Sequence, residues 1–437
     1  MSPETLALVS VGLVFLLIVF GVHVGVTLAA VSVLGIWAIT GKVTVALNIL
    51  QTTAYSAVMD YVFAVVPLFV LMGLFSTLAG ATRELFSAAQ FFLGRFRGGM
   101  GIATVIANAV FAAITGVSIA SAAVFSKIAY PEMMRLKYDK KFGLGIIAGS
   151  AILGMLIPPS VLLIVYGVIS EQSIGRLFIA GIVPGLVVTA VLSAGIRTMI
   201  YFRPTIGGET ENAQPMTLRN AVRAAAGCWG VVLLILLVMG GIWGGLFTPT
   251  EAGAVGAAGG FLLVFLNRKL NLKSLWGVLL DGGQTTASIF LLLICAQMYS
   301  RMLTISGLAS RLTEGATSLP VPPWVIIAGF LVVFLLLGCI VDSTSIILLT
   351  IPIMHPVAVK LGYDPIWFTI VSIVTIEIGL LTPPFGMVVF AMKSALGDEA
   401  KIEEIFAGSL PFLLLLLIAL AIILTFPILS TWLPSLM

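Results

Sequence analysis

Apolar residues fall in long runs along this chain, separated by short polar corners. Runs at 5–22, 24–41, 60–80, 142–169, 177–200, 225–247, 252–267, 284–300, 366–396 and 406–433 each read as a membrane-spanning helix, since about 20 apolar residues cross a ~30 Å hydrocarbon core. Two further stretches, 100–130 and 323–357, are apolar but interrupted. The first breaks at Thr115-Gly116-Val117-Ser118, the second from Gly338 through Ser345. Their limbs hold about 13–16 residues, roughly 20–24 Å of helix, so each stretch is predicted to be a re-entrant hairpin. Segments 43–56 and 271–283 are mildly amphipathic and are expected to lie as interfacial arms.

Two of the spans carry paired prolines in similar settings: Leu153-Gly-Met-Leu-Ile-Pro158-Pro159-Ser160 and Ile378-Gly-Leu-Leu-Thr-Pro383-Pro384-Phe385. Proline removes a backbone donor and clashes with the preceding turn, so the helices are expected to break at 157–159 and 382–384. Backbone groups freed at bilayer depth must line protein or a water cavity. The interval from Gly154 to Gly379 equals that from Pro158 to Pro383. The interval from Gly116 to Gly338 is slightly shorter, and that from Pro184 to Pro411 slightly longer. Five crossings separate equivalent points, so the halves are expected to be inverted: 1–202, a polar linker at 203–224 (with Gly207, Glu209, Glu211 and Asn212), and 225–437. An inverted repeat with midplane breaks is the plan of a secondary carrier. The predicted fold is all-α and polytopic, with about five transmembrane helices and one hairpin in each half.

Charge orients this plan. With both hairpins re-entrant, seventeen of the 22 Lys and Arg residues fall on one side, and only Lys42, Arg176, Arg301, Arg311 and Lys360 on the other. The positive-inside rule makes the first side cytoplasmic and both termini external. Composition agrees with a membrane protein: 60% hydrophobic, 9% charged, mean hydropathy +1.19. The net charge of +4 is therefore a topology signal and gives no reason to expect a nucleic-acid partner. Cys228, Cys295 and Cys339 are scattered, which suits apolar packing better than metal or disulfide chemistry. The first apolar run lacks a basic leader and reads as a retained span. There is no Walker A sequence, and the two histidines, His23 and His355, have no second ligand at metal-binding spacing.

The chemistry available is sparse and sits at the breaks. The first tip offers Gly116, Val117, Ser118 and Ser121, beside Gly154 and Pro158. Hydroxyls and freed carbonyls are hard oxygen ligands suited to Na+, and a helix start suits a carboxylate; close helix packing by small residues is the plainer alternative. The second tip offers Gly338, Asp342, Ser343 and Ser345, beside Gly379, Thr382 and Pro383. Asp342 is open to two compatible roles: an intramembrane carboxylate that binds an ion, or a cap on the limb that follows. Carried along from the tip glycines, the repeat sets Ala120 opposite it. Glu377 is read first as a structural bundle residue and second as a group that tunes an ion site.

Taken together and in order, Gly154-Met-Leu-Ile-Pro-Pro-Ser, Leu177-Phe-Ile-Ala-Gly181-Ile-Val-Pro-Gly185, Gly245-Leu-Phe-Thr-Pro-Thr-Glu-Ala-Gly253, the Gly338/Asp342 tip and Glu377-Ile-Gly-Leu-Leu-Thr-Pro-Pro-Phe-Gly386 give a resemblance over essentially the whole chain. It resembles the large (M, DctM-like) membrane subunit of TRAP transporters, the tripartite ATP-independent periplasmic carriers. That resemblance implies an elevator-type carrier of the ion-transporter superfamily, driven by Na+ and seated in the inner membrane. It also implies a small four-helix membrane subunit and a periplasmic substrate-binding protein as partners. The substrate would be an organic anion such as a C4-dicarboxylate or a sialic acid. Sodium ligands would fall at Gly116, Val117, Ser118, Ser121, Gly154 and Pro158, and at Gly338, Asp342, Ser343, Gly379, Thr382 and Pro383. Substrate would lie between the tips, near Ser118, Ser121, Ser343 and Ser345. A stand-alone sodium–dicarboxylate symporter is the alternative. An intramembrane enzyme is disfavoured because no cluster of acid–base groups faces one cavity.

Overall fold

The structure, a computed structural model, describes residues 3–59, 61–210 and 217–437. Among these, helices are the only regular elements, apart from an isolated bridge between Tyr138 and Gly207. Helices α1 (Pro3–Val19), α2 (Val24–Thr40), α3 (Val43–Met59) and α4 (Val65–Ala79) open the chain. Gly41 and Gly80 adopt left-handed φ of 70° and 93°, which closes α2 and α4 without a side-chain clash. The corner that follows is itself partly helical, beginning with α5 (Ala81–Leu93). Next come α6 (Gly99–Thr115), α7 (Ser118–Arg135), α8 (Lys140–Ala151), α9 (Leu153–Leu156), α10 (Val161–Ile169) and α11 (Ile174–Phe202).

The predicted linker is less free than its composition suggests. Its first residues dock on the corner after α7: Asp139 N–H donates to Ile206 O at 3.1 Å, Glu209 N–H to Leu136 O at 2.7 Å, and Lys137 pairs with Glu209 at 2.5 Å. Glu211 and Asn212 lie outside the described residues. Residues 218–224 belong to helix α12 (Leu218–Gly227), which meets α13 (Trp229–Trp243) at a 56° bend, so the span predicted at 225–247 is not straight. Helix α14 (Pro249–Leu266) follows, then α15 (Leu272–Ser306), α16 (Leu308–Ser318), α17 (Pro323–Gly338), α18 (Ser343–Lys360), α19 (Pro365–Gly379), α20 (Met387–Leu396) and α21 (Ile402–Thr425). The separate arm expected at 271–283 is absent. α15 runs unbroken for 35 residues because it contains no proline and no left-handed glycine until Gly307, whose φ is 72°.

Two groups of helices pack largely among themselves. One contains α1–α4 with α13–α15; the other contains α6–α11 with α17–α21. The first group rests on a seam of small residues. α14 starts with a capping box in which Thr248 Oγ1 accepts the Glu251 N–H at 3.3 Å and Glu251 returns to the Thr248 N–H at 2.8 Å. Pro249 occupies the first turn, where its missing donor costs nothing. Gly253, Gly256 and Gly260 then face Leu68, Met72 and Phe75 of α4, so close that a Cβ would stand 2.5–3.1 Å from their nearest atoms. The family-like stretch Gly245–Gly253 is therefore a helix start and a packing face.

The second group holds the interrupted helices. Tyr166 of α10 meets His355 of α18 at 3.2 Å, and Gln172 donates to Thr369 of α19 at 2.9 Å, tying the first broken helix to the later elements. Six described helices are long and apolar enough to cross a membrane, and two bent pairs would add two more.

Candidate functional site

Both interrupted stretches turn within the second group, where Gly116, Ser118, Gly338 and Ser343 are buried while Ile340 is exposed. At the first, Gly116 takes a left-handed φ of 63° and Val117 is extended, so α7 starts at Ser118. A Cβ on Gly116 would stand 2.6 Å from Pro159 O, and Gly116 O accepts the Val161 N–H at 3.3 Å. The tip thus rests on the break after α9, where Pro158 and Pro159 join through a cis bond. Gly154 faces the start of α7; a Cβ there would lie 2.8 Å from both Ser118 N and Cα. Ser121, one turn further, is buried, and among the described residues its hydroxyl has no hydrogen-bond partner.

The second tip is longer, with four residues between α17 and α18 against two between α6 and α7. Gly338 and Gly379 face each other so closely that a Cβ on either would meet the other's Cα at 2.6–2.7 Å. Phe385 N–H donates to Cys339 O at 3.2 Å, so this tip also rests on the break beside it. Asp342 is the cap of α18: one oxygen accepts the Ser345 N–H at 3.0 Å, the other the Ser345 hydroxyl at 2.5 Å. Ser345 is therefore engaged by Asp342 through both its N–H and its hydroxyl. Thr382 donates to Ile378 O at 3.1 Å, while Pro383 is exposed, unlike the buried Pro158.

Counting from helix starts changes one pairing. Ser118 and Ser343 each open the second limb of a hairpin, and they are spaced as Pro158 and Pro383 are. On that spacing Asp342 falls opposite Val117, whereas spacing from the tip glycines puts Ala120 there. The extra residues of the second tip displace the count made from the glycines.

The two tips are joined by a residue the sequence reading ranked as structural. Glu377 of α19 is 0% exposed. Its Oε1 accepts a hydrogen bond from Ser343 Oγ at 2.6 Å, and its Oε2 accepts one from Ser118 Oγ. Each serine is the first residue of its helix and has no carbonyl one turn earlier within that helix to bond, so the carboxylate is its natural acceptor. The signal for this was available, because Ser118 and Ser343 repeat at the same interval as the two breaks. Of the four candidate substrate ligands, Ser118 and Ser343 meet across Glu377; Ser121 and Ser345 do not join them there. Among the described residues no three His, Cys, Asp or Glu side chains cluster as a metal site. A cavity of about 660 Å³, lined in part by Tyr61, Gln172, Thr248 and Gln297, opens elsewhere, where the turn before α4, the start of α14 and α15 meet the corner between α10 and α11.

Broken apolar helices whose hydroxyl-bearing tips meet across a buried carboxylate inside a helical bundle are the build of a membrane transporter. The fold agrees. The Alcanivorax borkumensis YdaH transporter superposes with a TM-score of 0.57 at 17% identity, covering 89% of this chain and 88% of that one. Neisseria gonorrhoeae MtrF gives 0.58 at 12% identity, over 87% and 84%. The family described as "Tripartite ATP-independent periplasmic transporter, DctM component" matches residues 11–429, and the chain belongs to it. The C4-dicarboxylate TRAP transporter large permease of Pseudomonas aeruginosa is 35% identical over 378 residues, 86% of each chain. That of Rhodobacter capsulatus is 31% identical over 96% of this chain and 99% of its own. The sialic acid TRAP transporter large permease of Vibrio cholerae is 32% identical over 86% and 87%.

Proposed function

We propose that this chain is the sodium-driven permease of a carrier that imports an organic anion across the inner membrane, delivered by a periplasmic binding protein and with a small four-helix membrane subunit alongside. The observation that carries this reading is the convergence of both hairpin tips on Glu377. A buried carboxylate held only by two hydroxyls favours a nearby cation, because charge is poorly screened there. The unpartnered Ser121 hydroxyl and the tip carbonyls are oxygen donors of the kind Na+ takes. An anion approaching the starts of α7 and α18 would meet Glu377 as a like charge; Na+ at the tips offsets that repulsion and links ion binding to substrate binding. Relatives named for C4-dicarboxylate, sialic acid and 2,3-diketo-L-gulonate transport share one chemistry, a carboxylate on a small polar body. The two-fold repeat, which we read as inverted, draws support from repeated spacing. The helix starts at Ser118 and Ser343 recur at the interval of the paired prolines, and the left-handed Gly80 and Gly307 at nearly the same one.

The test is reconstitution in liposomes with and without the two partner chains. Uptake should need all three proteins and an inward sodium gradient. Uptake of similar rate by this chain alone would favour the stand-alone sodium–dicarboxylate symporter instead.

Asp342 gives a second test. Asparagine caps nearly as well as aspartate, so Asp342→Asn keeps the start of α18 and removes a charge near the second tip. If that charge helps hold Na+, half-saturating sodium should rise about tenfold, equivalent to ~1.4 kcal/mol. A sodium titration of uptake at matched membrane levels reads this directly; an unmoved midpoint leaves Asp342 as a cap only.

A further inference from the structure

Far from the tips, α11 and α21 leave a groove between them that the transport site does not use. At one end lies a cavity of about 330 Å³, whose wall includes Lys141, Arg203 and Asp139. Asp139 is committed as the cap of α8, accepting the Phe142 N–H at 2.9 Å. Lys141 and Arg203 are exposed and, among the described residues, form no ion pair. Thr198, Met199 and Pro411 line this cavity and also a second one of about 520 Å³, which is otherwise apolar and follows both helices inward to Val191 and Ile418. From Thr198 to Val191 the trough runs on the order of 10 Å along α11. Its floor is set by Gly195, where a Cβ would stand 2.2 Å from Leu415 Cδ1, so the two helices approach closely and leave the trough above them.

A pair of cations opening onto an apolar trough matches one class of molecule. We propose that this groove binds an anionic phospholipid, with its phosphate at Lys141 and Arg203 and an acyl chain along α11 and α21. Basic pockets between helices at the cytoplasmic face suit acidic headgroups, and by the charge asymmetry this end of the groove is the cytoplasmic one. Arg203 offers a planar fork to phosphate oxygens, and Lys141 a mobile point charge. A zwitterionic lipid brings its own cation and leaves the pair less well matched. A partner helix would satisfy the trough but not the two charges.

The experiment uses the purified full chain in detergent, melted with phosphatidylglycerol, with phosphatidylcholine of the same acyl chains, or with inorganic phosphate. Phosphatidylglycerol should raise the midpoint by about 2–4 °C, since a ligand that binds only the folded chain stabilises it. The other two should leave it in place. The double variant Lys141→Gln/Arg203→Gln should lose the shift. Equal stabilisation by phosphatidylcholine, a shift with phosphate alone, or a full shift in the double variant would each overturn the proposal. Native mass spectrometry of wild type and Ala194→Trp, which fills the trough and leaves both charges, gives an independent answer. One fewer retained phosphatidylglycerol supports the site, and equal retention counts against it.

Discussion

Glu377→Leu should cut sodium-driven uptake by about a hundredfold while the protein still reaches the membrane. Leucine has similar bulk, and removing a buried charge relieves its desolvation, so the fold should persist. Transport suffers because the Ser118 and Ser343 hydroxyls lose their shared acceptor. A hydrogen bond to a charged group is worth about 1.5–3 kcal/mol, and a stranded buried donor costs about 1–3 kcal/mol. Losing either bond alone is enough for roughly tenfold, at ~1.4 kcal/mol per decade. Glu377→Gln retains one acceptor oxygen and should fall between wild type and leucine. The measurement is initial uptake rate against sodium for all three forms at matched membrane levels. Wild-type uptake by the leucine form would remove Glu377 from the mechanism.

Gly154→Ala and Gly338→Ala should also abolish most transport, by a different physical route. The added methyl would stand 2.8 Å from Ser118 backbone atoms in one case and 2.6 Å from Gly379 Cα in the other. Backbone cannot rotate aside as a side chain can, so overpacking of about 1–3 kcal/mol is relieved only by moving a tip. Gly329→Ala is the control. It lies on the same helix as Gly338 and a Cβ there meets nothing within 4 Å. It should be neutral or slightly stabilising, since alanine favours helix by up to about 1 kcal/mol over glycine. Uptake near wild type from Gly154→Ala or Gly338→Ala would show that the tips tolerate displacement.

These two sets of residues also mark what the sequence made legible. The helix breaks were readable because paired prolines and a left-handed glycine act locally: Pro158-Pro159, Pro383-Pro384 and Gly116 stand at interruptions, whereas single prolines such as Pro184 and Pro411 stay inside continuous helices. The glycines at 154, 338 and 379 were readable from their spacing. What was not readable was where each buried polar group points. Glu377 lies in an apolar helix and bonds Ser118, 259 residues away, and no local rule connects them. Asp342 was left between two roles, and its bonds to Ser345 establish the cap. The unbroken α15 was missed because a polar face and an apolar span share one helix when nothing between them stops it. The registry of the second tip depends on where counting starts, because glycine position and helix start differ there by the extra loop residues.

The position of Glu377 bears on how alike two halves of such a chain can be. The spacing that separates Ser118 from Ser343 also separates Ile152 from Glu377. The Ile152 carbonyl lies 3.5 Å from the same Ser118 hydroxyl. A second glutamate at 152, a position that is itself fully buried, would add another carboxylate to the unsolvated interior, where two nearby acids cannot both remain ionised. Each would also compete for Ser118, which has a single proton to donate. One acid shared between the two tips holds both serines at once, where a pair of acids would repel each other.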